Sequence, residues 1–360
     1  MSDKFTFSDR QKNIIGAMRP GEWFAASDIA AVLSGVSAAT LRRDLGELVE
    51  QGVLEKHGEN KGVKYAVTDR TRLFFPYTLG TYYVQDEDER AAQEDYSFSV
   101  LPTMSEVSLF TSSQEIRMQQ ATETFTASAK GLSGALQQKE LERFVIEFAW
   151  KSSKIEGNTY SLLDTEFLLR NGIEAPGKSK FETKMILNHK QAYLFAVESA
   201  RDEVPVNVAY VEHIHRLLTD GLGVEIGLRD RRVGISGSRY VPLAVKQQLR
   251  EQLQQLVDVI NGKHVPYEQA MIAVLGLSYL QPFEDGNKRT ARVLANSFLL
   301  RSGCAPLSYR SVDEREYKEA TLIFYEQNSV VPFRELFVEQ YVYAATHYNI
   351  AQPMKKEGKR

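Results

Sequence analysis

Cysteine is almost missing from this chain: a single residue, Cys304, among 360. That excludes an internal disulfide framework and fits a reducing compartment. Cys304 lies in an apolar stretch, where a thiol is ordinarily buried and inert. No run approaches the roughly 18 consecutive apolar residues of a membrane span. The first residues, MSDKFTFSDRQK, lack the apolar centre of a secretory signal. A cytoplasmic protein with no membrane partner is therefore expected. An excess of either charge is lacking too: the formal net charge is −3, which gives no global pull toward nucleic acid or anionic lipid. Internal repeats and low-complexity tracts are absent. What remains, 43% hydrophobic and 25% charged residues, is the composition of a globular protein, long enough for two or three domains.

Residues 1–68 form a first domain. Ser8-Asp9 can cap a helix carrying Ile14, Ile15 and Met18, and Pro20-Gly21 ends it. Ser27-Asp28 can cap a second, with Ile29, Val32 and Leu33 on its apolar face. Ser37 caps a third, AATLRRDLGELVEQ, with Leu41, Leu45, Leu48 and Val49 at helical spacing and Gly52 as its stop. VLEKH and VKYAV then read as two strands around the turn GENKG. Three helices and a hairpin are the winged-helix layout, and SAATLRRDL followed by LVEQGVL resembles the DeoR type of bacterial helix-turn-helix regulator. The resemblance implies DNA contacts from Arg42, Arg43 and the wing residue Lys61. Against this, residues 1–68 hold as many acidic as basic side chains, so a protein-interaction or dimerisation module remains open, and a two-fold homodimer is a reasonable prior. Residues 69–120, aromatic and then acidic, read as a packed connector. Residues 121–348 are helical by periodicity, and 349–360 form a polar tail.

The richest stretch is Gln281-Pro-Phe-Glu-Asp-Gly-Asn-Lys-Arg-Thr-Ala-Arg292. An apolar helix runs into Pro282, a polar turn follows, and a second helix starts at once. Such a start aims backbone N–H groups and the positive dipole end outward. Gly286 allows close anion approach. Lys288, Arg289 and Arg292 add positive charge, and Arg289 and Arg292, three apart, share a face. Asp285 is a natural oxygen ligand for Mg²⁺ on phosphates. The same spacing also fits a solvated helix start with surface arginines.

The stretch resembles the Fic (Fido) motif, His-Pro-Phe-x-Asp-Gly-Asn-Gly/Lys-Arg-x-x-Arg, with Gln281 in the place of its first residue. The resemblance implies a mainly α fold: a Fic-type helical core with a small β-hairpin flap, preceded by a winged-helix α+β domain. It implies ATP and Mg²⁺, with the metal on Asp285. Gly286, Asn287, Lys288 and Arg289 would surround the phosphates, and Arg292 would hold the γ-phosphate. Tyr317 falls where the family has an aromatic beside adenine, though a core Tyr fits equally. Val233, Gly234, Ile235 and Ser236 match the flap that clamps a target protein by strand pairing, or belong to an ordinary hairpin. Ser152, Glu156 and Gly157 match the inhibitory motif S/T-x-x-x-E-G/N. Ser152 and Glu156 share a helix face, and in the family this Glu pairs with the second Arg, here Arg292, against the γ-phosphate.

The family's His deprotonates a target Tyr, Thr or Ser hydroxyl, which then attacks the α-phosphate and gains AMP. A Gln amide is not a base at neutral pH, and losing a general base costs about 10²–10⁴-fold. None of the six histidines lies in the loop. Two readings follow. The chain is an autoinhibited adenylyltransferase scaffold, inactive or very weak because of Gln281, or it is a nucleotide-sensing DNA-binding regulator.

Overall fold

The computed structural model describes residues 7–33 and 35–350. The tail from 351 onward lies outside them, and so does the side chain of Lys61. Among the described residues the chain forms two compact units. One comprises the residues up to Val107 with Gly234–Pro242 and Glu319–Phe333; the other comprises Ser108–Val233, Leu243–Lys318 and the residues from Arg334 on.

The first unit opens with α1 (Asp9–Gly16), β1 (Phe24–Ala25), α2 (Ala26–Val32) and α3 (Ala38–Glu50), followed by β2 (Leu54–His57) and β3 (Lys64–Val67). Ser8 and Ser37 cap α1 and α3 through their hydroxyls, accepting from Gln11 N and Thr40 N. The second helix differs from its expected start. It begins at Ala26, and Asp28 sits inside the first turn, where its carboxylate accepts from Ala25 N at 2.9 Å. Val32 consequently faces solvent, 68% exposed. The three strands pair antiparallel in the order β1-β3-β2. Ile14, Ile29, Leu41, Leu45, Leu48, Val53 and Val67 fill the core beneath them.

The connector carries α4 (Asp69–Phe74), α5 (Leu79–Tyr82) and α6 (Val100–Glu106). It is fastened to Glu319–Phe333 of the same unit. Arg90 makes a two-pronged pair with the fully buried Glu326, both bonds 2.9 Å. Tyr82 Oη donates to Glu326 at 2.6 Å, and Tyr77 Oη donates to Gln327 at 2.9 Å. A paired and hydrogen-bonded charge of this kind tolerates burial, whereas a lone one does not.

The second unit holds α7 (Ser112–Ala129), α8 (Gly134–Ile155), α9 (Leu162–Asn171), α10 (Lys180–Arg201), α11 (Val208–Thr219), α12 (Lys246–Gly262), α13 (Pro266–Leu280) and α14 (Asn287–Arg301). The next helix, α15 (Glu314–Gln327), starts in the second unit and continues into the first, and α16 (Val331–His347) closes the fold. Residue 121, expected as a domain start, falls inside α7. Apolar on every side, α13 is central, and α14 lies antiparallel against it across a short turn. Residues 231–240, read as a β-hairpin, form no regular strand; their neighbour Val241 makes an isolated parallel bridge with Asp95. No described helix is long and apolar enough to cross a membrane.

Candidate active site

The turn between α13 and α14 is held by its own side chains. Gln281 ends α13 in the left-handed region, φ 48 and ψ 57, an unfavourable place for a side-chain-bearing residue. Its amide bonds at both ends: Nε2 donates to Ser278 O at 2.6 Å and Oε1 accepts from Asn287 Nδ2 at 2.9 Å. Asn287 also bridges Phe283, accepting from its N–H and donating to its carbonyl, each at 2.9 Å. Its side chain thus braces the turn rather than reaching outward. Arg229, buried and unremarked in the sequence, donates to the carbonyls of Gln281, Arg231 and Leu243 at 2.6–2.7 Å. It ties the start of the flap segment to the turn.

Gly286 is the N-cap of α14, at φ 81, and so supplies no side-chain cap. A Cβ there would stand 3.0 Å from Thr219 Cγ2. The first amides of α14 are therefore left to whatever approaches from outside. Arg289 and Arg292 lie beside them, 2% and 0% exposed. Arg289 Nη2 donates to Asp285 Oδ2 at 2.6 Å, and the Asp285 side chain is 59% exposed. Burial pulls the Arg289 pKa down, with Asp285 and Glu156 opposing. Arg289 Nη1 is buried without an aligned hydrogen-bond partner, whereas Arg292 also has the Tyr317 hydroxyl as a hydrogen-bond partner. A buried cationic donor left in that way is costly unless an anion completes it.

Arg292 is gripped by the end of α8. Nε donates to Ser152 Oγ at 2.8 Å, Nη2 donates to Ser152 O at 2.9 Å, and Nη2 lies 2.8 Å from Glu156 Oε1. Glu156 is the C-cap of α8, and Gly157, at φ 94, lets the chain turn away. Burial raises the Glu156 pKa, but Arg292, Lys288 and Arg289 outweigh it and hold the carboxyl below its ordinary range. Lys288, Arg289 and Arg292 are thus all electrostatically engaged by one carboxylate of the same chain.

Tyr317, for which an adenine-side aromatic and a core Tyr fit the sequence equally, is 2% exposed. It packs edge-on against Tyr309, 5.8 Å between rings, and under the Arg292 guanidinium at 5.7 Å. Its face serves the arginine and the core. Val233 closes one piece of the second unit, while Gly234, Ile235 and Ser236 begin a piece of the first; Gly234 and Ser236 are exposed. Arg42 and Arg43 are both exposed on α3, with Arg43 3.9 Å from Glu47.

Two histidines that the loop motif does not contain turn out to support it. His215 stacks on Phe283 at 3.8 Å, and its Nε2 donates to Asp285 O at 2.9 Å. Burial pushes its pKa down to about 4. His189 on α10 stands behind Ser152, and burial pushes it down to about 3. Their place on helical faces carries no local sequence signal of this role.

A family model described as Fic/DOC family matches residues 205–299, and one described as DeoR-like helix-turn-helix domain matches residues 10–59. Ser152, Glu156 and Tyr317 lie outside both spans. Protein adenylyltransferase fic-1 of Caenorhabditis elegans is 32% identical over 193 residues, 51% of this chain and 37% of the relative. Protein adenylyltransferase Fic of Nematostella vectensis is 30% identical over 194 residues, 52% and 45% of the two chains. The matched stretch is therefore less than half of either relative. Among solved structures, a Fic domain containing signaling protein from Bacteroides thetaiotaomicron VPI-5482 aligns with a TM-score of 0.55 at 22% identity, over 64% of this chain and 94% of that one. Fic-1 residues 134–508 from C. elegans align at 0.52 and 26% identity, over 65% and 69%. This chain carries a Fic/DOC family domain with a DeoR-like helix-turn-helix domain ahead of it.

Proposed function

We propose that this chain is an autoinhibited adenylyltransferase scaffold that binds ATP with Mg²⁺ at the start of α14 and is built to present it to a hydroxyl of a target protein. The observation carrying this reading is Arg292: fully buried, held by Ser152 and Glu156, and adjacent to an uncapped helix start. The free amides of Gly286, Asn287 and Lys288 would receive the α- and β-phosphates. Arg289 would add charge. Asp285, half-exposed and beside Arg289, suits an oxygen-ligated Mg²⁺, which when bound would neutralise phosphate charge. Arg292 would hold the γ-phosphate, and Glu156 now fills that place. One guanidinium cannot satisfy both anions, so a nucleotide competes with the chain's own carboxylate. Val233, Gly234, Ile235 and Ser236, which lie in no regular strand, would meet a target segment by strand pairing.

Gln281 sets the outcome. Its amide is spent on Ser278 and Asn287 and has no basic atom to take the proton of a Tyr, Thr or Ser hydroxyl. Nucleotide binding therefore persists while AMP transfer is absent or very weak. Titration of ATP with Mg²⁺ into the wild-type chain and into Glu156→Gly tests the binding half: tighter binding in the variant is expected, and no heat from either overturns the reading. Labelled transfer into lysate tests the other half. Gln281→His in the Glu156→Gly background should raise transfer by about 10²–10⁴-fold.

A second reading, that the chain is a nucleotide-responsive DNA-binding regulator, is favoured by the exposure of Arg42 and Arg43 on α3 within the DeoR-like match. Retention of promoter DNA by the full chain, lost in Arg42→Ala/Arg43→Ala, supports it. Equal retention by the variant removes it.

A further inference from the structure

Ser152 Oγ accepts a hydrogen bond from Arg292 Nε at 2.8 Å, so its own proton must go elsewhere. The available acceptor is His189 Nε2, 3.0 Å away and buried. The other ring nitrogen fixes which way that bond runs. His189 Nδ1 lies 2.8 Å from Met185 O, and a carbonyl only accepts, so Nδ1 carries the hydrogen and Nε2 presents its lone pair. The order is then Arg292 N–H to Ser152 Oγ, Ser152 O–H to His189 Nε2, and His189 Nδ1–H to Met185 O. His189 also lies 3.3 Å from Ser153 Oγ, and its ring is held edge-on by Phe148 at 6.2 Å. The chain of bonds has one direction and no exposed member.

We propose that His189 is a positioning residue of the inhibitory segment: by accepting the Ser152 hydroxyl's hydrogen bond it turns that oxygen's lone pairs onto Arg292 and holds the guanidinium against Glu156. This rests on the reading above that Arg292 is a phosphate ligand restrained by its own chain. An apolar side chain at 189 would leave the hydroxyl proton without its acceptor. Ser152 would then rotate to a carbonyl of its own helix, and Arg292 would lose a charge-assisted bond and become available to phosphate.

The full chain is titrated with ATP and Mg²⁺ as wild type, Glu156→Gly, His189→Leu, His189→Gln, Ser152→Ala and the Ser152→Ala/His189→Leu double variant. His189→Leu should tighten binding by about tenfold, the weight of one hydrogen bond to a charged group. Ser152→Ala should do the same, and the double variant should bind no tighter than either single one. His189→Gln, whose amide oxygen can still accept from Ser152, should fall back toward wild type. Tightening that is undiminished in the Ser152→Ala background, or a Gln no better than Leu, overturns the proposal. So does an unchanged His189→Leu while Glu156→Gly binds tightly. If Glu156→Gly binds no nucleotide, the phosphate reading fails separately. The positioning role is then decided by imidazole ¹⁵N resonances. The Nδ1–H form, with an Nε2 signal that moves in Ser152→Ala, upholds it; an Nε2–H form, or no response, overturns it.

Discussion

Helices α3 and α14 each begin at a turn and each carry two arginines within their first six residues, yet they are finished in opposite ways. At α3, Ser37 supplies the missing acceptor for Thr40 N, and Arg42 and Arg43 face solvent. At α14, Gly286 supplies nothing, and Arg289 and Arg292 are sealed inside, with Arg289 Nη1 lacking an aligned hydrogen bond. The first start is complete as it stands. Its arginines stand in solvent and need no ligand to complete them. The second retains an unsatisfied donor, Arg289 Nη1, which costs about 1–3 kcal/mol when buried. A fold tolerates that where a ligand makes good the loss.

The contrast can be broken at α14 first. Arg292→Ala removes the partner of Glu156 and should lower the unfolding free energy by about 3 kcal/mol in a denaturant titration. ATP binding should vanish even with Glu156→Gly present; retained binding would remove Arg292 from the phosphate site. Gly286→Ala forces a side chain into φ 81 and against Thr219, an expected loss of about 2 kcal/mol. Its counterpart, Ser37→Ala, deletes only a cap and should cost about 1 kcal/mol. A Gly286 variant cheaper than the Ser37 one would show that the α14 start is not sterically specified. Arg42→Ala and Arg43→Ala should leave the unfolding midpoint unmoved while changing any DNA retention.

The smallest effect concerns pH. Folding lowers the Glu156 pKa from its ordinary 4.5, so the pair contributes in full above that value and is lost only as pH falls through the depressed one. The affinity ratio between wild type and Glu156→Gly should therefore be flat from about pH 8 to 6. A slope there, measured by titration calorimetry, would point to another titrating group.

Much of this was legible because it is local. The Ser8 and Ser37 caps, the Gly52 stop and the turn at Asp285-Gly286-Asn287 each depend on residues within a few positions. The Glu156–Arg292 pair was legible only through resemblance, since 136 positions separate its partners and no periodicity joins them. What escaped depends on distant packing. The two-residue strand β1 is too short to show alternation and exists because β3 offers it an edge. Asp28 looks like a cap and works from inside the first turn. Tyr317 could be read as a base-stacking aromatic until its ring was seen to lie beneath a guanidinium. His189, Arg229 and His215 sit on ordinary-looking stretches, and only folding brings them behind the turn.

The interleaving of the two units has a practical consequence for anyone cutting this protein apart. A fragment ending at Val107 keeps Arg90, Tyr82 and Tyr77 but loses Glu326 and Gln327, which lie more than two hundred positions downstream. Such a fragment strands a guanidinium among aromatic rings with no counter-charge. Genetic dissection at that boundary would thus report on an injured connector rather than on an isolated N-terminal domain, and point substitution in the intact polypeptide is the cleaner instrument.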